Sequence, residues 1–150
     1  MQGDRREERI LALDVGRKRI GLAFSDGVWG AVALDAMQRK TMREDARRLS
    51  AMAKERKAAF FLMGLPLHMN GEEGEMAAFV RTFGVRLEEE SGLKVVYLDE
   101  RLTSVEAEAR LKERGLSLKR MLDAKRGGAV DSLSAAILLE DYLHTGDTAE

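Results

Sequence analysis

The spacing of its apolar segments constrains this chain more than any other feature. Between Arg9 and Gln38 three strand-like runs, "ILALDV", "RIGLAFSD" and "AVALDAMQ", follow one another with only short turns between them. Connections that short join antiparallel neighbours, because a parallel pair needs a crossover of a dozen residues or more. Beyond Thr41 the pattern changes. The runs "AAFFLM" and "KVVYL" each follow an amphipathic helical stretch and read as parallel strands, with "AAFFLM" buried on both faces. The order is three strands, helix, strand, helix, strand, helices. That order predicts a mixed five-stranded sheet, three antiparallel strands and then two parallel ones, flanked by helices in a three-layer α/β arrangement. With no internal repeat, low-complexity tract or linker, residues 1–150 read as a single domain.

The helices carry their own signals. Thr41-x-x-Glu44 is a capping box, and behind it Met42, Ala46, Leu49 and Ala53 share one face. A second helix is predicted from Glu72 to Gly92, with Met76, Phe79, Val80, Phe83 and Leu87 on one stripe. Thr103-x-x-Glu106 caps a third, ending near Gly115, and the last runs from about Ala129 to His144, apolar until Glu140. Between these two lies "GLSLKRMLDAKRGG", irregular, basic and closed by a glycine pair.

Three acids break these patterns. Asp14 interrupts an apolar strand, Glu100 follows one immediately, and Asp131 sits in the first turn of the apolar last helix, on the face of Ser134, Ala135, Leu138 and Tyr142. A buried carboxylate costs several kcal/mol unless it is paired, hydrogen-bonded or metal-bound. Taken singly, Asp14 could close a turn, Asp99 and Glu100 could be loop residues, and Asp131 could favour the helix dipole. Taken together, they converge. Parallel strands bring Asp14 and Glu100 to one carboxyl edge of the sheet, about 10 Å apart if "AAFFLM" lies between them. That gap suits one or two hydrated cations, with Asp131 approaching from the last helix. Oxygen-only ligands fit Mg²⁺ or Mn²⁺ rather than zinc. Paired ions of that kind activate water and stabilise the leaving oxygen in phosphodiester hydrolysis.

Charge placement fits the same chemistry. The net charge is only −1, so composition does not mark a nucleic-acid binder. Arg17, Lys18 and Arg19 nevertheless follow Asp14 directly. From Arg110 to Arg126 seven basic residues stand against two acidic ones. Lys119, Arg120, Lys125 and Arg126, next to the Gly127-Gly128 hinge, read as an arm that closes on a polyanionic strand. There is no cysteine, which suits a reducing cytoplasm and excludes thiolate chemistry. The charged N-terminus is not a signal peptide, and the longest apolar run, "AAFFLMGLPL", is too short to span a bilayer.

The stretches "LALDVGRKRIGLAFSD", "GLPLHMNG", "DERLTS" and "VDSLSAAILLEDYL", in this order from about Arg9 to Leu143, together resemble the YqgF family, also called RuvX. The resemblance implies an RNase H-like fold and a metal-dependent nuclease whose acids are Asp14, Glu100 and Asp131. It implies maturation of the 5′ end of pre-16S rRNA, with Holliday junction resolution as the alternative. RuvC-like resolvases end the fourth strand with the second carboxylate, where this chain has Gly64; Asp99, beside Glu100, leaves the choice of ligand open. Arg101 belongs to the family motif and either holds a phosphate or braces the carboxylates. In the substrate-side loop Gly64 lets a backbone approach closely and Pro66 fixes the turn; His68 is either a phosphate contact or an exposed loop histidine, and Trp29 reads as packing at a hairpin end rather than as a base-stacking platform. Leu65, Leu67 and Met69 are either a partner-facing patch or buried anchors.

The leading expectation is thus a Mg²⁺- or Mn²⁺-dependent nuclease acting on structured nucleic acid, RNA in preference to branched DNA, in an oligomeric state left open. Two readings of other classes stand beside it. D-x-G on an N-terminal strand also begins actin-like ATPases, which clamp nucleotide between two such domains where this chain supplies one. A non-catalytic nucleic-acid-binding factor would keep the fold without needing all three acids.

Overall fold

The fold is described from a computed structural model, which covers residues 5–102, 105–113 and 132–146. Thr103, Lys119, Arg120, Lys125, Arg126 and Asp131 lie outside the described residues. Five strands, β1 (Ile10–Val15), β2 (Arg19–Ser25), β3 (Val32–Gln38), β4 (Phe60–Leu65) and β5 (Val95–Asp99), form one sheet in the order β3-β2-β1-β4-β5. β1 pairs antiparallel with β2 and parallel with β4, and β4 pairs parallel with β5. The expected topology is the observed one, because turn length leaves the first three strands no other pairing.

Among the described residues, four α-helices flank the sheet: α1 (Met42–Arg56), α2 (Glu75–Ser91), α3 (Val105–Glu113) and α4 (Leu133–Thr145). Thr41 caps α1 by accepting the Glu44 N–H at 3.1 Å, and Lys57 closes it in the left-handed conformation. α2 begins later than the periodicity predicts. Glu72 and Glu73 are held in a tight loop: the His68 N–H donates to the Glu72 carbonyl at 2.8 Å, and Leu67 bridges Glu73. Among the described residues, no helix is long and apolar enough to cross a membrane.

Strand alternation divides the core into two layers. Leu11, Leu13 and Val15 of β1, with Phe61, Met63 and Leu65 of β4, face α1 and α2 and meet Leu49, Ala53, Val80, Phe83 and Leu87. Ile10 and Ala12, with Phe60, Leu62 and Leu98, face α4 and meet Ala135, Ala136, Leu138, Leu139 and Tyr142. Small side chains on both sides of this second layer let α4 lie close on the sheet. Burying each large apolar side chain stabilises by about 1.5–3 kcal/mol.

Two expectations about exposed residues need correction. Trp29 does not pack at its hairpin end but is 77% exposed. The reason is local: Asp26 accepts the Val28 and Trp29 N–H groups, folding the turn tightly and leaving the indole outside it. Leu65 at the end of β4, and Leu67 and Met69 after it, behave as neither alternative foresaw as a group. Leu65 is buried, Leu67 half-buried, and Met69 is 93% exposed.

Candidate active site

The parity that separates the two core layers also places the acids. Asp14 follows Ile10 and Ala12 on the face covered by α4. Glu100 follows Val96 and Leu98 on that same face, in a short 3₁₀ turn just beyond β5. Between their rows lies Gly64, continuing Phe60 and Leu62 on β4. A Cβ on Gly64 would fall on the Glu100 side chain, 2.8 Å from its Cγ, and 2.7 Å from Cδ1 of Leu138. Gly64 is itself buried, so its role is not to let a nucleic-acid backbone approach. The missing side chain is the space through which Glu100 reaches Asp14 across an intervening strand.

The result is a cavity of about 160 Å³ lined by Asp14, Glu100, Ser134, Ile137 and Leu138. Asp14 and Glu100 are half-buried and hydrogen-bonded to each other. Burial, then the charge of Asp14 and the hydrogen bond it makes, and then Asp99, push the Glu100 carboxyl up to about 7. Two carboxylates this close repel each other, which disfavours the charged form of Glu100.

Asp99 has the opposite environment. It belongs to the other parity, with Val95 and Tyr97, and its carboxylate is gripped by Arg101. Nε donates at 3.1 and 3.2 Å, a terminal nitrogen at 2.7 Å, and the Arg101 backbone N–H at 2.9 Å. The hydrogen bonds from the Arg101 side chain hold Asp99 below the ordinary carboxylate range, despite burial. A second terminal nitrogen of Arg101 donates to the Met69 carbonyl at 3.1 Å. Arg101 therefore ties the loop after β4 to the end of β5, and Asp99 is already spoken for. Of the neighbouring acids, Glu100 lines the cavity with Asp14.

Arg17 and Lys18 in the turn after β1, and Arg19 at the start of β2, are exposed and lie close to Asp14 in the chain. His68 is exposed as expected, its ring lying against Gly74 at the start of α2. Sequence reasoning missed the apolar wall of the cleft and the service Gly64 gives to Glu100. It also left Asp99 and Glu100 undecided, although the alternation Val95-Val96-Tyr97-Leu98 holds the parity that separates them. Among the described residues, no group of three or more His, Cys, Asp or Glu forms a metal cage; the described cleft contributes two carboxylates.

Comparison with known proteins adds family information. A family model described as "RuvX: Holliday junction resolvase" matches residues 8–145. A protein of Anaeromyxobacter sp. (strain K) named "Putative pre-16S rRNA nuclease" is 40% identical over 136 residues, 90% of this chain and 96% of its own. One of the same name from Crocosphaera subtropica is 41% identical over 140 residues, covering 91% and 94%. The structure of RuvC from Thermus thermophilus aligns with a TM-score of 0.55 at 16% identity, covering 94% of this chain and 98% of that one. At that identity the likeness concerns the fold, an RNase H-like sheet with helices on its faces.

Proposed function

Since this chain belongs to the RuvX family, we propose that it is a divalent-cation-dependent nuclease that hydrolyses phosphodiester bonds in structured nucleic acid, with pre-16S rRNA as its substrate and the cytoplasm as its setting. The observation that carries the reading is the meeting of Asp14 and Glu100 in one cleft at the carboxyl edge of the sheet.

The donor set suits the cation. Asp14 and Glu100 supply oxygens only, a donor set that suits a hard divalent ion such as Mg²⁺ or Mn²⁺. Asp131 is the third ligand of this proposal. A bound ion of this kind supplies Lewis-acid stabilisation of the phosphate and a more acidic water. The chain's own residues do the rest. Asp14, fixed by the β1 ladder, and Glu100, seated over Gly64, orient the ligand oxygens. Ile137 and Leu138 restrict water on the helix side. Arg17, Lys18 and Arg19 attract the phosphate backbone, joined in this proposal by Lys119, Arg120, Lys125 and Arg126. Arg101 acts by bracing Asp99 and the Met69 loop.

The relatives' names favour RNA, and the family description favours a branched DNA junction as the second reading. The test incubates wild type, Asp14→Asn, Glu100→Gln and Asp131→Asn with Mn²⁺, Mg²⁺ or EDTA. The end-labelled substrates are a precursor rRNA fragment, an unstructured RNA and a four-way DNA junction. Metal-dependent cutting of the rRNA fragment, lost in all three variants, is the expected outcome. Symmetrical cutting of the junction alone transfers the assignment to a resolvase. Binding without cutting, equal in all four proteins, makes the chain a non-catalytic binding factor.

A further inference from the structure

Ser132 stands in the N-cap position of α4, yet its side chain makes no capping hydrogen bond to that helix. A serine there ordinarily accepts an N–H from the first turn of its own helix. Ser132 is instead fully buried, and its Oγ accepts the backbone N–H of Leu22 on β2 at 2.9 Å, across 110 positions of sequence. The pairing of β2 with β3 shifts register between Ile20 and Leu22, an irregularity that leaves a ladder N–H needing a partner from elsewhere. One serine oxygen supplies it.

The place of this bond matters more than its strength. Leu22 adjoins Gly21, the residue that β2 sets opposite Asp14. Two residues after Ser132 comes Ser134, and six after it Leu138; both line the carboxylate cleft, and Leu138 packs where a Gly64 side chain would stand. One peptide bond before Ser132 is Asp131, the third acid of the sequence pattern. A helix is rigid over such a span, so a bond that pins its first residue to the strand beside Asp14 fixes how the wall sits over the acids.

We propose that Ser132 is a positioning residue of the cleft: its hydrogen bond to the Leu22 N–H sets the gap between the Asp14–Glu100 pair and the α4 wall, and with it the affinity for a divalent cation. This rests on reading the cleft as a cation site. Orienting partners one step removed from a metal commonly change its affinity by about 10–100-fold when removed.

The test titrates Mn²⁺ by calorimetry into wild type, Ser132→Ala, Ser132→Cys and Ser132→Thr, with melting curves for each and hydrogen exchange of the Leu22 amide. Ser132→Cys keeps the volume but offers a weak acceptor, whereas Ser132→Thr keeps the oxygen. Expected are affinities about 10-fold weaker for Ser132→Ala and Ser132→Cys, faster exchange at Leu22 in both, and recovery of affinity in Ser132→Thr. A Ser132→Cys protein that folds and binds Mn²⁺ as wild type does would overturn the proposal, whatever its melting temperature. Wild type that takes up no Mn²⁺ overturns the cation-site reading itself, and the positioning role falls with it.

Discussion

Two acidic clusters of this molecule, one around Asp45 and one in the cleft, are treated in opposite ways. At the start of α1, Asp45 is completely buried, but Arg39 donates to it at 2.9 Å, the Lys40 N–H at 3.0 Å, and Arg48 also reaches it. Burial pushes its pKa up, yet these hydrogen bonds outweigh burial and hold the group below the ordinary carboxylate range. Arg39 is itself stacked over Phe79 and Phe83, at 4.9 and 5.7 Å, so the cluster joins β3, α1 and α2. In the cleft, Asp14 and Glu100 meet each other, and burial together with the Asp14 charge pushes the Glu100 carboxyl up to about 7. A structural buried charge brings its counter-ion in the chain. A carboxylate pair in a cleft, with a strongly raised pKa, marks instead a place where chemistry is expected.

The comparison breaks if the acids respond alike to substitution. The largest effect is expected at Asp14→Asn: nuclease rate down at least about 10³-fold, roughly 4 kcal/mol of transition-state stabilisation, with folding intact by circular dichroism. Wild-type cleavage by this variant would remove the functional half of the contrast. Asp45→Ala should do the reverse, costing about 3 kcal/mol in denaturant unfolding, because Arg39 and Arg48 are left without their buried partner. The rate per folded molecule should barely change.

Glu100→Gln sharpens the contrast through pH. The Glu100 pKa is higher in the folded protein than the ordinary 4.5, so the folded state binds a proton more tightly than the unfolded chain. Its contribution to the stability of metal-free protein is therefore most favourable below about 4.5 and is lost as pH rises through about 7. Melting curves in EDTA should show this decline in wild type, relieved by Mn²⁺. Glu100→Gln should lack it and melt higher at pH 8, by roughly 5 °C, while cleaving nothing. A parallel pH profile in both proteins would mean that Glu100 is not the group titrating.

The smallest effect is expected one residue away. Asp99→Asn loses the ion pair with Arg101 but no cleft ligand, so cleavage should fall less than about 10-fold, with the loop around Met69 loosened in hydrogen exchange. A loss as deep as that of Glu100→Gln would assign the ligand to Asp99 instead.

Much of this is legible in the amino-acid sequence. Turn lengths gave the antiparallel triplet, and the apolar runs after helices gave the parallel pair, because both follow from local geometry. Asp14, Glu100 and Asp131 stood out as acids in apolar settings for the same reason. The late start of α2 was not legible: the stripe of Met76, Phe79 and Val80 continues backward through residues that the His68–Glu72 bond holds in a loop. Nor was the exposure of Trp29, which depends on Asp26 folding the turn beneath it.

The sequence by itself determined the order of elements, the strand pairing and the short set of acids worth suspecting, since hydrophobic period, capping and turn length act over a few residues. Only the tertiary structure decided which acid of the Asp99-Glu100 pair meets Asp14, what Gly64 makes room for, and that Ser132 serves a strand rather than its own helix. Those outcomes depend on which face of the sheet each helix covers and on contacts between residues far apart in the chain, distances that no local pattern encodes.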